Sequence, residues 1–382
     1  MRGFIERLPL YVGGFLGPFG TIVIIPMFPE LRDEFSATNA QVNLGFSLYL
    51  IPFAALLLVS GTLGERWGRR RTIRATYLLF VISSIAVAFA PNLLVFVAAR
   101  SLQGIANAFI TPLLIAGLAE LVPAEKLGRE IGIYSSFQAL GGGLGPIIGG
   151  IAADTDWRVA FFGTAVISAV LAMFPPDGEP RPETGGGPAI RTLFNRQLLG
   201  LGASFFLLAA GPIGLGVIVG IAARDVFDLS GSVAGIVLLG GSLTALALGP
   251  VWGSLLDRLG VRRVAMIAIS LVTLSCVTLT LADGAVSLGL LWAMTSGLTG
   301  LTVVVYQAVG ATIMPENRGG ALSFLLSFRF LGHAIGPLAL VPLVDWSLDA
   351  TLLIGAAPGV VALGLVLRSL VQVDETEAVS IG

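Results

Sequence analysis

The chain has 382 residues, 55% of them hydrophobic and 12% charged, with a net charge of −1. Soluble domains carry roughly 25% charged residues, so this composition excludes an ordinary soluble fold and points to lipid as the main solvent; it also leaves no basic excess for nucleic acid. One cysteine (Cys276) and one histidine (His333) exclude an internal disulfide and the zinc classes, which need several such ligands, and nothing in the sequence asks for a metal or cofactor.

In chain order, apolar runs of spanning length predict membrane helices over 8–28, 42–64, 72–90, 93–121, 130–153 and 158–175. The first run follows Arg2 and Arg7, as a signal peptide would. It ends in Pro26, Pro29 and acids without a small-residue cleavage site, so it reads as a retained first span. A polar stretch rich in Pro and Gly, 177–196, reads as a linker. Six more runs follow, over 197–222, 231–256, 262–282, 285–314, 317–344 and 348–369. The thinnest divisions are the turns at 90–93 and 283–285. The expected fold is all-α with twelve transmembrane helices: a six-helix half over 1–176, the linker, a second half over 197–370 and a tail over 371–382.

With both termini in the cytoplasm, inner segments hold 17 of the 22 basic residues and outer loops hold three, Arg32, Arg158 and Arg224. That asymmetry predicts the orientation, with linker and tail cytoplasmic in a plasma or inner membrane. Arg100 and Arg329 remain inside predicted spans. The halves also repeat. Gly61, Glu65, Arg66, Gly68, Arg70 and Arg71 recur 192 residues later as Gly253, Asp257, Arg258, Gly260, Arg262 and Arg263, and Pro123 recurs as Pro315. Gly145-Pro146 recurs as Gly336-Pro337 at an offset of 191. Parallel six-helix repeats are a transporter architecture.

The loop G-T-L-G-E-R-W-G-R-R over 61–70 resembles the signature loop of the major facilitator superfamily, G-x-L-a-D-R-x-G-R-K, with Glu65 in place of the usual aspartate and a degenerate copy at 253–263. The chemistry of the loop is a tight turn with positive φ at Gly68 and charges at helix ends. The resemblance implies a gating role for Gly61, Glu65, Arg66, Gly68, Arg69, Arg70, Gly253, Asp257, Arg258 and Gly260; the alternative is that the arginines only set topology. The run G-G-G-L-G-P-I-I-G-G over 141–150 is similar to the antiporter motif of drug:proton exporters in that superfamily. Gly141, Gly145 and Gly149 share a helix face that lets a neighbour approach closely, Gly150 flanks it, and Pro146 removes a hydrogen bond.

Polar residues inside spans supply the cavity candidates. Arg100, Gln103, Asn107 and Thr111 lie on one face of the fourth helix, where R-x-x-Q-G is similar to a family segment. Such a stripe suits a water-filled cavity; the alternative for Arg100 is snorkelling. Arg329 and His333 lie four residues apart on the eleventh helix, and Phe137 stands where Arg329 would be in the first half. Arg329 then needs a partner, a substrate or water. His333 either titrates or is a packed neutral group. Tyr134, Gln138, Tyr306 and Gln307 are either cavity-lining or helix-contact residues. Exporters of the family often carry an acid midway along the first helix. Gly20 stands there here, and Glu30, Asp33, Glu65 and Glu120 sit at predicted helix edges. Glu30, Asp33 and His333 are therefore the candidates for proton coupling.

The resemblance implies a monomeric secondary transporter that exports small apolar or amphipathic solutes by alternating access, with protons as coupling ion. The alternatives are an uptake permease or facilitator for a small, anionic solute, and, with less support, a membrane sensor or enzyme, for which no catalytic constellation is present.

Overall fold

The computed structural model describes residues 2–176, 190–314 and 317–380. Most of the linker, including Arg181, and the repeated Pro315 lie outside the described residues. The described chain is helical, with turns and short 3-10 or π segments between helices. Nine helical stretches among the described residues are long and apolar enough to cross a bilayer. Two shorter apolar helices, Arg158–Met173 and Arg196–Ala210, match the sixth and seventh predicted runs. The protein is thus a multi-pass membrane protein.

The first run extends beyond its predicted end. Helix α1 (Arg2–Ile22) is followed by a 3-10 turn at Ile25–Met27 and by α2 (Phe28–Phe35). Pro26 cannot continue the α-helical ladder, yet the backbone recovers at once, so Glu30 sits within a helix. The second run divides into α3 (Asn39–Leu57) and α4 (Ser60–Trp67), broken at Leu58 and Val59. Thr38 starts α3 with a reciprocal capping box: its hydroxyl accepts from the Gln41 amide and the Gln41 side chain accepts from the Thr38 amide. The next helices are α5 (Arg69–Ala88), α6 (Leu93–Leu121), α7 (Ala124–Ala153) and α8 (Arg158–Met173). Asn92 caps α6 by accepting from the Val95 amide at 3.0 Å. The positive φ read from the sequence at Gly68 is present, at 94°, and its counterpart Gly260 has 77°.

The seventh run is broken. Helix α9 (Arg196–Ala210) ends at Gly211-Pro212, and α10 (Gly216–Ile221) resumes before a π turn over Ala222–Val226. Pro212 has no amide to donate and its carbonyl is free of the ladder. The thiol of the buried Cys276 donates to that carbonyl at 3.7 Å. Then come α11 (Gly231–Leu259), α12 (Val261–Thr278), α13 (Ala285–Thr312) and α14 (Arg318–Val344). The twelfth run is also divided, into α15 (Leu348–Ala356) and α16 (Pro358–Ser380). The two breaks pack together: a Cβ on Gly211 would lie 2.4 Å from the Gly355 carbonyl and 3.0 Å from Pro358.

Two compact units result. Unit 1 takes residues 1–185 with 223–239, and unit 2 takes 186–222 with 240–382. The opening turns of α11 therefore belong to the same body as α1–α8.

Candidate functional site

In unit 1, Arg100 is fully buried, which rules out snorkelling here. Its Nε donates to the Gly45 carbonyl at 3.2 Å, Nη1 to the Gln103 amide oxygen at 2.8 Å and Nη2 to the Thr21 carbonyl at 3.5 Å. The guanidinium lies over the Tyr49 ring at 4.5 Å, a cation–π contact. Gln103 passes the network on by donating to Ser84 at 2.8 Å. No carboxylate among the described residues pairs with Arg100, so backbone carbonyls and an aromatic face hold the charge. Glycine makes this possible. A Cβ on Gly104 would sit 1.9 Å from the Tyr49 carbonyl oxygen, and one on Gly45 would sit 2.5 Å from the Phe96 ring. Only a bare α3–α6 seam brings the Gly45 carbonyl within reach.

One to two turns along α6, a second polar group is left unsatisfied. Asn107 Oδ1, Tyr134 Oη and Tyr77 Oη are buried without a hydrogen-bond partner among the described residues. All three press on a glycine face of α1. A Cβ on Gly13 would lie 2.2 Å from Tyr77 Oη, on Gly14 2.7 Å from the Tyr134 ring, and on Gly17 2.5 Å from Asn107 Oδ1. Buried polar atoms without partners mark places for water or a ligand's polar group. Thr111 and Gln138 are half-buried nearby in sequence. Tyr77 was not among the sequence candidates, because α5 shows no polar stripe around it.

In unit 2, Tyr306 stacks on Phe205 with ring centres 4.1 Å apart, and its hydroxyl shares a 2.5 Å hydrogen bond with Ser204. Arg329 lies 5.9 Å from the same Phe205 ring and 5.3 Å from Phe330. Its Nε is buried without a partner, and no acid among the described residues pairs with it. His333 lies beside the Ile213 backbone, at the break between α9 and α10. The structure thus gathers Tyr306, Arg329 and His333 around the broken seventh run. Gln307 is apart, on an exposed face of α13.

The signature loop is organised by Arg69, which is 1% exposed. Nε and Nη2 donate to Glu65 at 2.6 and 2.9 Å, and Nη1 and Nη2 donate to Glu120 at 2.7 and 2.9 Å. The corresponding positions of the repeat are Val261 and Thr312. Asp257, Arg258 and Gly260 are exposed, so the second copy lacks this hub.

The 141–150 glycines sit against backbone on two sides. Cβ atoms would lie 2.2 Å from the Phe15 carbonyl at Gly141, 3.0 Å from Ile22 at Gly145 and 2.1 Å from the Val23 carbonyl at Gly149. One residue around, a Cβ on Gly150 would lie 2.0 Å from the Gly231 carbonyl, and one on Gly235 would lie 2.4 Å from the Pro146 carbonyl. Helix α7 therefore touches α1 along one face and the start of α11 along the next.

At the end of unit 1 opposite the signature loop, charges converge. Arg32 forms a bidentate pair with Asp225 at 2.9 and 3.0 Å, and Asn39 donates to the same carboxylate at 2.8 Å. Arg224 pairs with Glu30, whose Oε2 is buried and unpartnered. Glu34 pairs with Arg158 at 2.5 Å, while Asp33 is exposed. Asp154 accepts from the Gly231 amide at 2.6 Å and from the Ser232 amide and hydroxyl at 2.8 and 2.5 Å, capping α11 from another segment. Burial opposes ionisation of Asp154, but these donors outweigh it and hold the carboxyl below its usual range. Helix α7 begins six residues before its predicted start, so Glu130 lies in its second turn, 6% exposed, paired with Arg7 at 2.7 Å and accepting from Tyr11.

The model of the Major Facilitator Superfamily matches residues 10–222 and 201–380. The chain is 29% identical over 173 residues to the MFS antiporter QDR3 of Candida albicans, a match covering 44% of this chain and 25% of that protein. It is 25% identical over 351 residues to the multidrug resistance protein MdtG of Proteus mirabilis, covering 86% of each. In fold it is similar to the nucleoside transporter NupG, with a TM-score of 0.74 and 14% identity over 96% of this chain and 99% of that one. With both halves of the sequence matched and the whole fold shared, this chain belongs to the Major Facilitator Superfamily of transporters.

Proposed function

We propose that the chain is an exporter of small apolar or amphipathic solutes, working by alternating access as a monomer and driven by a proton gradient. Its twelve crossings would comprise the nine long stretches with α7, α8 and the broken seventh run, both termini and the linker facing the cytoplasm of a plasma or inner membrane. The observation that carries export is the 141–150 segment, where a complete run of antiporter-like glycines lies flush on α1 and the start of α11. Small residues of this kind let helices approach closely, which suits a helix at the seam of a moving half. The names of QDR3, an antiporter, and MdtG, a multidrug resistance protein, support the same direction. Glu30, with one buried unpartnered oxygen, is the favoured proton carrier ahead of Asp33 and His333. A second reading, uptake of a small anionic solute, is favoured by one feature: Arg329 has no counter-ion among the described residues.

Inverted vesicles carrying the protein test this. A panel of lipophilic cations, neutral apolar compounds and small organic anions is offered with and without an imposed inside-acid gradient. Gradient-dependent accumulation of the first two classes is expected. Accumulation of anions alone, or movement indifferent to the gradient, would reject proton-driven drug export.

A further inference from the structure

Below the break between α3 and α4, the helices of unit 1 leave a crevice of about 320 Å³ between Trp67, the first half of α5 and the middle of α6. Its walls are nearly all apolar: Ala75, Leu79, Ile105 and Phe109 line it. Thr72 and Thr76 also border it, but their hydroxyls are spent on the Gly64 and Ile73 carbonyls. The body of any occupant must therefore be apolar. Trp67 is 54% exposed and is braced against Phe109 at 5.9 Å, as an interfacial tryptophan would be. Arg71 stands at the mouth, exposed and without a hydrogen bond or ion pair among the described residues. Around it the start of α5 reads Arg69-Arg70-Arg71, with no acid in its first turn and no side-chain cap on its amides. Glu65 and Glu120 answer Arg69 at this terminus, and Arg71 is the cation there that faces the crevice without an acid among the described residues.

We propose that this crevice is a binding site for an anionic phospholipid, with the phosphate on Arg71 and the start of α5 and one acyl chain lying along the crevice. The geometry fits. From Arg71 to Leu79 the crevice follows α5 for about 12 Å at 1.5 Å per residue, most of the ~15 Å half-thickness of a hydrocarbon core. The cation lies where headgroups lie and the apolar walls lie where chains lie. The proposal needs only that this chain resides in a bilayer, so it stands apart from the direction and coupling of transport. It also gives the signature loop a lipid-facing neighbour: Arg71 is two residues from Arg69, which ties Glu65 to Glu120.

The test uses Trp67 as reporter. The full-length protein is reconstituted in phosphatidylcholine vesicles doped with either brominated phosphatidylglycerol or brominated phosphatidylcholine. The Trp67 contribution to quenching is taken as the difference from Trp67→Phe. Phosphatidylglycerol is expected to quench Trp67 at about a fivefold lower mole fraction, the preference that one basic residue near a membrane surface confers. Arg71→Gln should abolish that preference, and Ala75→Phe, which fills the crevice from an exposed helix position, should reduce quenching by both lipids. Equal quenching by the two lipids in the wild-type protein, or a preference that survives Arg71→Gln, would overturn the proposal. So would equally strong quenching by a brominated neutral detergent, which would make the crevice a general apolar site. Folding of each variant is checked by its elution profile, and Arg71→Lys, which should keep the preference, guards against a merely structural effect.

Discussion

Replacing Gly104 by alanine perturbs the most tightly closed seam of unit 1. The added methyl would sit 1.9 Å from the Tyr49 carbonyl oxygen and 2.8 Å from its carbon. Both are backbone atoms, so no rotamer change relieves the clash. To reach even a tight 3.0 Å contact, α3 and α6 must separate by over 1 Å along that line. The same seam holds the Arg100 Nε bond to the Gly45 carbonyl, already 3.2 Å long, so the separation takes that bond out of range. Overpacking costs about 1–3 kcal/mol, and a lost hydrogen bond to a buried cation costs about 1.5–3 kcal/mol. Alanine's better helix propensity returns at most about 1 kcal/mol. The net expectation is a loss of roughly 2–5 kcal/mol, read as a fall in the thermal midpoint of detergent-purified protein with loss of transport. Gly132→Ala on α7 is the control, because nothing lies within 4 Å of its Cβ position; it should be neutral or slightly stabilising. If Gly104→Ala melts and transports like the wild type, the α3–α6 seam is not closed as described and the account of Arg100 falls with it.

Arg69→Leu removes the cation shared by Glu65 and Glu120, which are 22% and 38% exposed; the cost of breaking a buried pair, about 3–5 kcal/mol, is discounted for that exposure to about 2 kcal/mol, and an unchanged melting midpoint would refute the hub. Arg100→Lys keeps the charge but cannot bond two carbonyls and Gln103 while lying flat on Tyr49; it should lose transport nearly as fully as Arg100→Ala, and wild-type uptake into inverted vesicles would show that charge alone suffices. Asp154 has its carboxyl held below the usual range, so its stabilisation is present above the unfolded value near 3.9 and is lost as pH falls through the folded one. The melting difference between wild type and Asp154→Asn should therefore be constant from neutral pH down to about 5 and shrink below about 4; a difference that does not change with pH would refute the cap on α11. In a Cys276→Ser background, Ser36→Cys, exposed at the end of α2, should react with an impermeant maleimide added to intact cells, and labelling only after lysis would invert the proposed orientation.

Spans were legible because the preference for lipid is carried by composition over some twenty residues. Helix α6 runs from Leu93 to Leu121 as predicted, bounded by an asparagine cap and a proline-bearing turn. The breaks at Leu58–Val59, Pro212 and Ala357 were missed because each lies inside a long apolar run; the second and third carry a proline, Pro212 and Pro358, and pack on one another through Gly211 and Gly355, whereas no proline or glycine marks the first. Partners were hidden for a different reason. Glu120 lies 51 residues from Arg69, Glu130 lies 119 from Tyr11, and Asp225 lies 193 from Arg32. Periodicity places a charge on a helix, but only the folded chain says which charge faces it. Tyr77 shows the limit most plainly: its hydroxyl is given meaning only by the bare α1 glycine that the fold sets against it.

The two intramembrane arginines looked alike in sequence and are not alike in structure. Arg100 donates to three acceptors and lies on Tyr49, so its charge is met within unit 1 and removing it would leave acceptors and a void. Arg329 has only ring faces and keeps a buried Nε without an acceptor. A cation that costs a few kcal/mol to hold in a membrane and is left unmet by its own protein is a position where a ligand's carboxylate, carbonyl or π-face gains the most. The repeat supports the distinction: counted from the Gly-Pro pair shared by the two helices, Gln138 rather than Phe137 occupies the equivalent place in the first half, and Phe137 beside it is spent in stacking on Tyr11 at 5.8 Å, so no cation stands there. Arg100 belongs to the scaffold that positions the α6 stripe. Arg329, which shares the Phe205 ring with Tyr306, is the residue that we propose meets a solute's polar group.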